Sequence, residues 1–95
     1  MLLKNKKFLI SGIANKYSIA TGIANAMHKE GAELAFLFQN ERLLKNIRPI
    51  ADACKSNILI KCDVSNDESI KSSFKELQNS WNTFDGFVHS IGYAP

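Results

Sequence analysis

Apolar residues along this chain alternate between two kinds of spacing. Phe8-Leu9-Ile10, Leu34-Ala35-Phe36-Leu37-Phe38, Ile58-Leu59-Ile60 and Phe87-Val88 are short continuous runs, the pattern of strands covered on both faces. Between them the apolar positions recur at helical spacing: Ile19, Ile23 and Met27 after the first run, and Ile70, Phe74, Leu77 and Trp81 after the third. The pattern predicts strands over 7–11, 34–38, 57–61 and 87–89. A helix is predicted over 18–30, with Ser18 as N-cap and Gly31 as the left-handed residue that closes it. Pro49 would remove a hydrogen bond in mid-helix, so the segment 41–55 is divided into a turn over 41–46 and a helix with Pro49 near its first position. Ser65 and Glu68 have the spacing of a capping box, which would start a third helix docked through the Ile70 to Trp81 stripe. Trp81 is read as core.

Strand and helix alternate with short connections, without repeats, low-complexity stretches or linkers. The fold class is therefore α/β, a Rossmann-type doubly wound parallel sheet of about four strands and three helices, in one domain over 1–95. At 95 residues the chain is short for a complete doubly wound sheet, and it is read as the N-terminal portion of one.

The first strand runs into Ser11-Gly12-Ile13-Ala14-Asn15-Lys16-Tyr17-Ser18-Ile19-Ala20-Thr21-Gly22, a glycine-bearing turn that opens a helix. A helix N-terminus presents unpaired amides and a positive dipole end, and glycine lets the backbone approach a pyrophosphate closely. The glycines are spaced more widely than in G-x-G-x-x-G.

Composition narrows the classes without adding a site. The net charge of +3 arises from 12 basic and 9 acidic residues spread along the chain. The only tight cluster, Lys4, Lys6 and Lys7, is read as a solvated strand entry. No basic helix face or aromatic interleaving supports a nucleic-acid role, and no apolar run approaches the length that spans a bilayer. Cys54 and Cys62 lie eight positions apart without a histidine at metal-ligand spacing, and are read as reduced structural residues with no metal. A cytoplasmic protein is expected.

Ligands of open parallel sheets bind beyond the carboxyl ends of the strands. Those ends are Gly12, Gln39, Asp63-Val64 and Ser90-Ile91-Gly92. Each has a plainer reading: Gly12 a turn, Ser18 a cap, Asp63 a turn residue, Gly92 a bend. His28 reads as a surface cation near a helix C-terminus and His89 as a hydrogen-bonded core residue. The signal lies in the set and its order.

That order resembles the enoyl-acyl-carrier-protein reductases of bacterial fatty-acid synthesis, a divergent branch of the short-chain dehydrogenase/reductase superfamily. Three segments carry the resemblance: Ser11-Gly12-Ile13-Ala14 with Ser18-Ile19-Ala20 and Gly22; Gly31-Ala32-Glu33-Leu34-Ala35-Phe36 with Gln39-Asn40; and Cys62-Asp63-Val64 with Phe84-Asp85-Gly86-Phe87-Val88-His89-Ser90-Ile91-Gly92-Tyr93-Ala94-Pro95. The last is the most specific, because ordinary short-chain dehydrogenases have an asparagine-asparagine-alanine-glycine type sequence in place of His89-Ser90-Ile91-Gly92.

The resemblance implies that Gly12, Ser18 and Ile19 hold the pyrophosphate and neighbouring ribose, and that Gln39 lies near the adenosine ribose. It places Asp63 and Val64 around the adenine, with Asp63 accepting from its amino group. Ile91 and Gly92 would back the nicotinamide, and the Ala94 backbone would border the acyl substrate. It further implies hydride transfer from NADH to the C=C of a trans-2-enoyl thioester carried on acyl carrier protein, in a homotetramer. The tyrosine and lysine that the family uses to stabilise the resulting enolate are expected beyond residue 95, so no catalytic residue is assigned here. Tyr17 and Tyr93 are not promoted to that role, and a 1–95 piece alone is expected to be inactive. Gln39 is neutral and Arg42 lies three residues on, where an acidic residue would repel a 2′-phosphate, so NADPH stands as the alternative cofactor.

Three rivals differ in class. A receiver domain would need an acidic pair at the end of strand one, where this chain has Ser11-Gly12. A phosphate-loop NTPase would need Gly-Lys-Ser or Gly-Lys-Thr at the helix start. A truncated nucleotide-binding or interaction module without catalysis shares the features above and is separated from a reductase by assaying binding and turnover together; within the enzyme class, another short-chain dehydrogenase/reductase stands as the alternative.

Overall fold

The computed structural model describes residues 2–13, 18–63 and 65–89. Four strands, β1 (Lys7–Ser11), β2 (Glu33–Phe38), β3 (Leu59–Lys61) and β4 (Gly86–His89), alternate with three helices, α1 (Ile19–Lys29), α2 (Leu44–Ala53) and α3 (Asp67–Leu77). All pairings are parallel, in the order β3-β2-β1-β4. The chain moves outward from β1 to β3, then crosses back to place β4 on the other side of β1. The strand order thus reverses between β1 and β4.

Period-two alternation divides the strand side chains between two cores. Ile10, Leu34, Phe36 and Phe38 face α1 and α2, where they pack with Ala20, Ala24, Ile47, Ile50 and Ala51. Leu9, Ala35, Leu37 and Ile60 face α3 and pack with Cys62, Leu77 and Trp81. The continuous apolar runs are explained by this double cover. Cys54 and Cys62 are free and belong to different faces, so the sheet separates them. Burial pushes the Cys54 thiol pKa up, as suits a core residue.

Gly31 closes α1 as expected. Its φ is 95°, and the amides of Gly31 and Ala32 donate to the carbonyls of His28 and Met27, the paired bonds of a Schellman motif. Gly86 starts β4 opposite Phe8, where a Cβ would lie 2.9 Å from the phenyl ring. Asp85 sets the entry to β4, because its carboxylate accepts from the Lys7 amide at 2.8 Å while its own amide donates to the Lys7 carbonyl at 2.7 Å.

Several expectations are corrected. Pro49 lies inside α2, which starts at Leu44 after a 3-10 turn (Glu41–Leu43), and not near the first helical position. The Pro49 ring is exposed, and burial of Ile47, Ile50 and Ala51 against the sheet offsets the lost hydrogen bond. The Ser65–Glu68 capping box does not form: Asn66 is the N-cap of α3, its side chain accepting from the amides of Glu68 and Ser69 at 2.9 and 3.2 Å. Ser65 is held elsewhere, by Asp63. Trp81 is core, but it follows α3, and its amide donates to the Leu77 carbonyl at 2.8 Å. The ladder of β3 is shorter than expected, although the Ile58 carbonyl still accepts from the Phe36 amide at 2.9 Å. In α1 the fully buried face is Ala20, Thr21 and Ala24, because small side chains let the helix approach the sheet, and Ile19 is 73% exposed.

Candidate functional site

The parallel strands put four polar or glycine residues at one edge, in the spatial order Asp63, Gln39, Gly12, His89. The strand order reverses between the Gly12 and His89 ends, which is where open α/β sheets form their ligand-binding crevice.

Gly12 has φ 97°, in the left-handed region that favours glycine, and directly follows β1. At the start of α1, Ser18 takes the N-cap position with extended backbone, and its carbonyl accepts from the Thr21 and Gly22 amides. The Ser18 side chain makes no capping hydrogen bond, contrary to the expectation that it satisfies a helix amide. The first turn contains no acidic residue, so the amides and dipole of α1 meet no opposing charge within that turn. Exposed Ile19 stands at the same helix entrance.

Gln39 is exposed immediately after β2. Beside it, the Asn40 side-chain oxygen is buried without a hydrogen-bond partner among the described residues, which is uncommon for a buried acceptor. Glu41 follows, 3.8 Å from the Lys61 ammonium in an exposed ion pair of small energetic weight.

Asp63 is held closely. Its amide donates to Ser69 Oγ at 2.8 Å, and its Oδ1 accepts from both the Ser65 amide at 3.0 Å and the Ser65 hydroxyl at 2.6 Å. The hydroxyl bond, then the amide bond, lowers the Asp63 pKa below the ordinary carboxylate value. Oδ2 is in no hydrogen bond among the described residues, leaving one oxygen of an ionised carboxylate as an acceptor. A carboxyl with a folded pKa below its unfolded value contributes stability that is present above the unfolded pKa and lost as pH falls through the folded one. Ser65→Ala is therefore expected to move the Asp63 midpoint partway up toward the ordinary value, with the amide bond still in place. A carboxyl-carbon NMR titration showing an unchanged midpoint would refute this.

One residue of the crevice, Ser11, was not singled out from sequence. Ser11 lies opposite His89 in the β1–β4 register, and its hydroxyl is hydrogen-bonded to His89 Nδ1 at 2.5 Å. The available signal was Ser11 at the end of an apolar strand, two positions from Leu9 and so on the same face. His89 is hydrogen-bonded as expected, but it is exposed and not in the core. Val64, Ile91, Gly92 and Ala94 lie outside the described residues, as do Tyr17, Ser90 and Tyr93.

A parallel sheet with Gly12 and the start of α1 at its switch point is the arrangement in which open α/β sheets bind their ligands. Residues 12–95 match the family model described as enoyl-(acyl carrier protein) reductase, and the chain belongs to that family. The NADH enoyl-acyl-carrier-protein reductase of Salmonella typhimurium is 54% identical over 93 residues, covering 98% of this chain and 36% of its relative. The Aquifex aeolicus reductase is 50% identical over 94 residues, and its crystal structure superposes with a TM-score of 0.94, covering all of this chain and 38% of that one. A reductase from Anaplasma phagocytophilum, solved in complex with NAD, is 37% identical with a TM-score of 0.91, covering all of this chain and 36% of that one. The chain thus spans about a third of the length of the curated relatives it matches.

Proposed function

We propose that this chain forms the nucleotide-binding part of an NADH-dependent enoyl-acyl-carrier-protein reductase of fatty-acid synthesis. The observation that carries the reading is Gly12, held at φ 97° on the switch-point edge of a sheet whose chain belongs to this family. The residues present fit a dinucleotide. Gly12 and the α1 entrance at Ser18 and Ile19 offer close backbone approach and amides for the pyrophosphate and its ribose. Gln39, beside the orphaned Asn40 acceptor, suits the adenosine ribose hydroxyls. The ionised Asp63 suits the adenine amino group, with Val64 on the ring. Ile91 and Gly92 are assigned to the nicotinamide end and the Ala94 backbone to the acyl group.

NADH, when bound, supplies the hydride for the β-carbon of the enoyl thioester. This chain's part is to bind and orient, while a tyrosine and a lysine beyond residue 95 are assigned to the enolate and its protonation. Glu41 is paired with Lys61 and Arg42 is adjacent, so the charges after β2 balance, and the preference for NADH over NADPH rests on the NADH-dependent relatives. A cytoplasmic homotetramer acting on enoyl-acyl carrier protein completes the reading. Among the described residues no helix is long and apolar enough to cross a membrane.

The test is made on the complete gene product. NADH titration by fluorescence and crotonyl-thioester reduction are measured on one sample. Saturable NADH binding with turnover, and lower kcat/KM with NADPH, is the expected result. Binding without turnover would assign a nucleotide-binding module instead, and absence of binding would overturn the reading.

A further inference from the structure

Ser11 and His89 are 78 positions apart in sequence, yet they meet at the mouth of the crevice. Their hydrogen bond closes the last rung shared by β1 and β4, next to Gly12 on one side and leading into 90–95 on the other. Ser11 is only 4% exposed, and its hydroxyl is satisfied by this bond. His89 stands on the α3 face of the sheet, its ring 5.7 Å from Phe87 and tilted by 43°. With Phe87, Phe74 and Cys62 it borders a cavity of about 150 Å³. The imidazole is therefore set against the cavity wall on one side and the serine on the other. A hydroxyl can both donate and accept, so the link persists in either histidine tautomer and after protonation.

We infer that Ser11 and His89 are positioning residues forming a clamp across the crevice, which holds the phosphate-binding and nicotinamide-binding strand ends at the separation a dinucleotide requires. The inference rests on the reductase reading and deepens it. Backbone pairing joins the strands up to this rung, the last β1–β4 pair among the described residues, and a ligand that touches both ends must otherwise immobilise them itself. A preformed side-chain link lowers that cost. A ligand held mainly at one end, such as the acyl substrate, gains little from it.

The complete gene product distinguishes this role from simple satisfaction of a buried hydroxyl. Ser11→Ala and His89→Leu are each expected to raise the NADH Kd and KM about five- to tenfold, the effect of one hydrogen bond, while the KM for crotonyl thioester stays within about twofold. His89 is exposed, so His89→Leu leaves the core intact and keeps the test available if Ser11→Ala folds poorly. Ser11→Thr retains the hydroxyl and His89→Asn retains a polar atom near the Nδ1 position; both should restore NADH affinity to within about twofold of wild type. The Ser11→Ala, His89→Leu double variant should be no weaker than either single variant, the mark of one shared interaction. Wild-type NADH affinity in either single variant, additive losses, failure of threonine to rescue, or equal rises in both KM values would overturn the clamp. If the unaltered protein binds no NADH, it is the reductase reading that fails.

Discussion

Gly12→Val is expected to lower NADH affinity by at least about a hundredfold. A residue with a Cβ in the left-handed region costs about 1–2 kcal/mol, and a β-branched side chain is worse placed there. Gly12 has φ 97° at the end of β1, so valine would either strain the backbone or turn the chain away from the α1 entrance. It would also place two methyl groups where the pyrophosphate is proposed to approach the main chain. The two effects act on the same step and together exceed the loss of any single hydrogen bond in the site. Fluorescence titration of NADH into the complete gene product measures the effect, and Gly12→Ala should be weakened less. Retention of affinity within tenfold by Gly12→Val would show that the cofactor phosphates lie elsewhere.

Phe36→Ala should cost about 3–5 kcal/mol of folding stability, the range for truncating a buried aromatic residue. Phe36 is fully buried, and its strand is paired on both sides, with β1 and β3. Its ring packs among Ile10, Leu34, Phe38 and the buried faces of α1 and α2, so the cavity left by alanine would be lined by several elements that cannot all collapse. Domains of this size have about 5–15 kcal/mol in total, so such a loss removes a large share of it. Urea denaturation of wild type and variant side by side reads the change as a shift in midpoint at constant slope. A shift worth less than about 1 kcal/mol would mean that the two-faced core does not depend on this ring. Phe36→Leu, which keeps most of the volume, should lose considerably less.

The architecture was legible where the signal was local. Continuous apolar runs marked strands covered on both faces, and both faces of β1 and β2 are covered, whereas β4 is not, with Phe87 44% exposed. Gly31 after a helical run marked the Schellman closure of α1. Local reading failed where two local preferences competed or where packing decided. At α3, Ser65 and Asn66 could each cap the helix; Asn66 does so because the Asp63 carboxylate holds Ser65. At Pro49, local stereochemistry argued for a helix start, but burial of Ile47, Ile50 and Ala51 carried the helix through the proline. The candidate site was partly legible for the same reason. Gly12, Gln39 and Asp63 end their strands and could be read one at a time, whereas nothing near Ser11 in sequence points to His89.

By itself, the sequence determined the alternation of strands and helices, the glycine turn before α1 and the motif order that places the chain in its family. These depend on residues within a few positions of one another, through side-chain period and backbone freedom at glycine. Only the tertiary structure decided the order β3-β2-β1-β4, the separation of Cys54 and Cys62 by the sheet, and the meeting of Ser11 with His89. Those outcomes depend on which strands pair and in what register. Each apolar run could pair with several others, and the choice is made by the packing of the whole sheet between its helices.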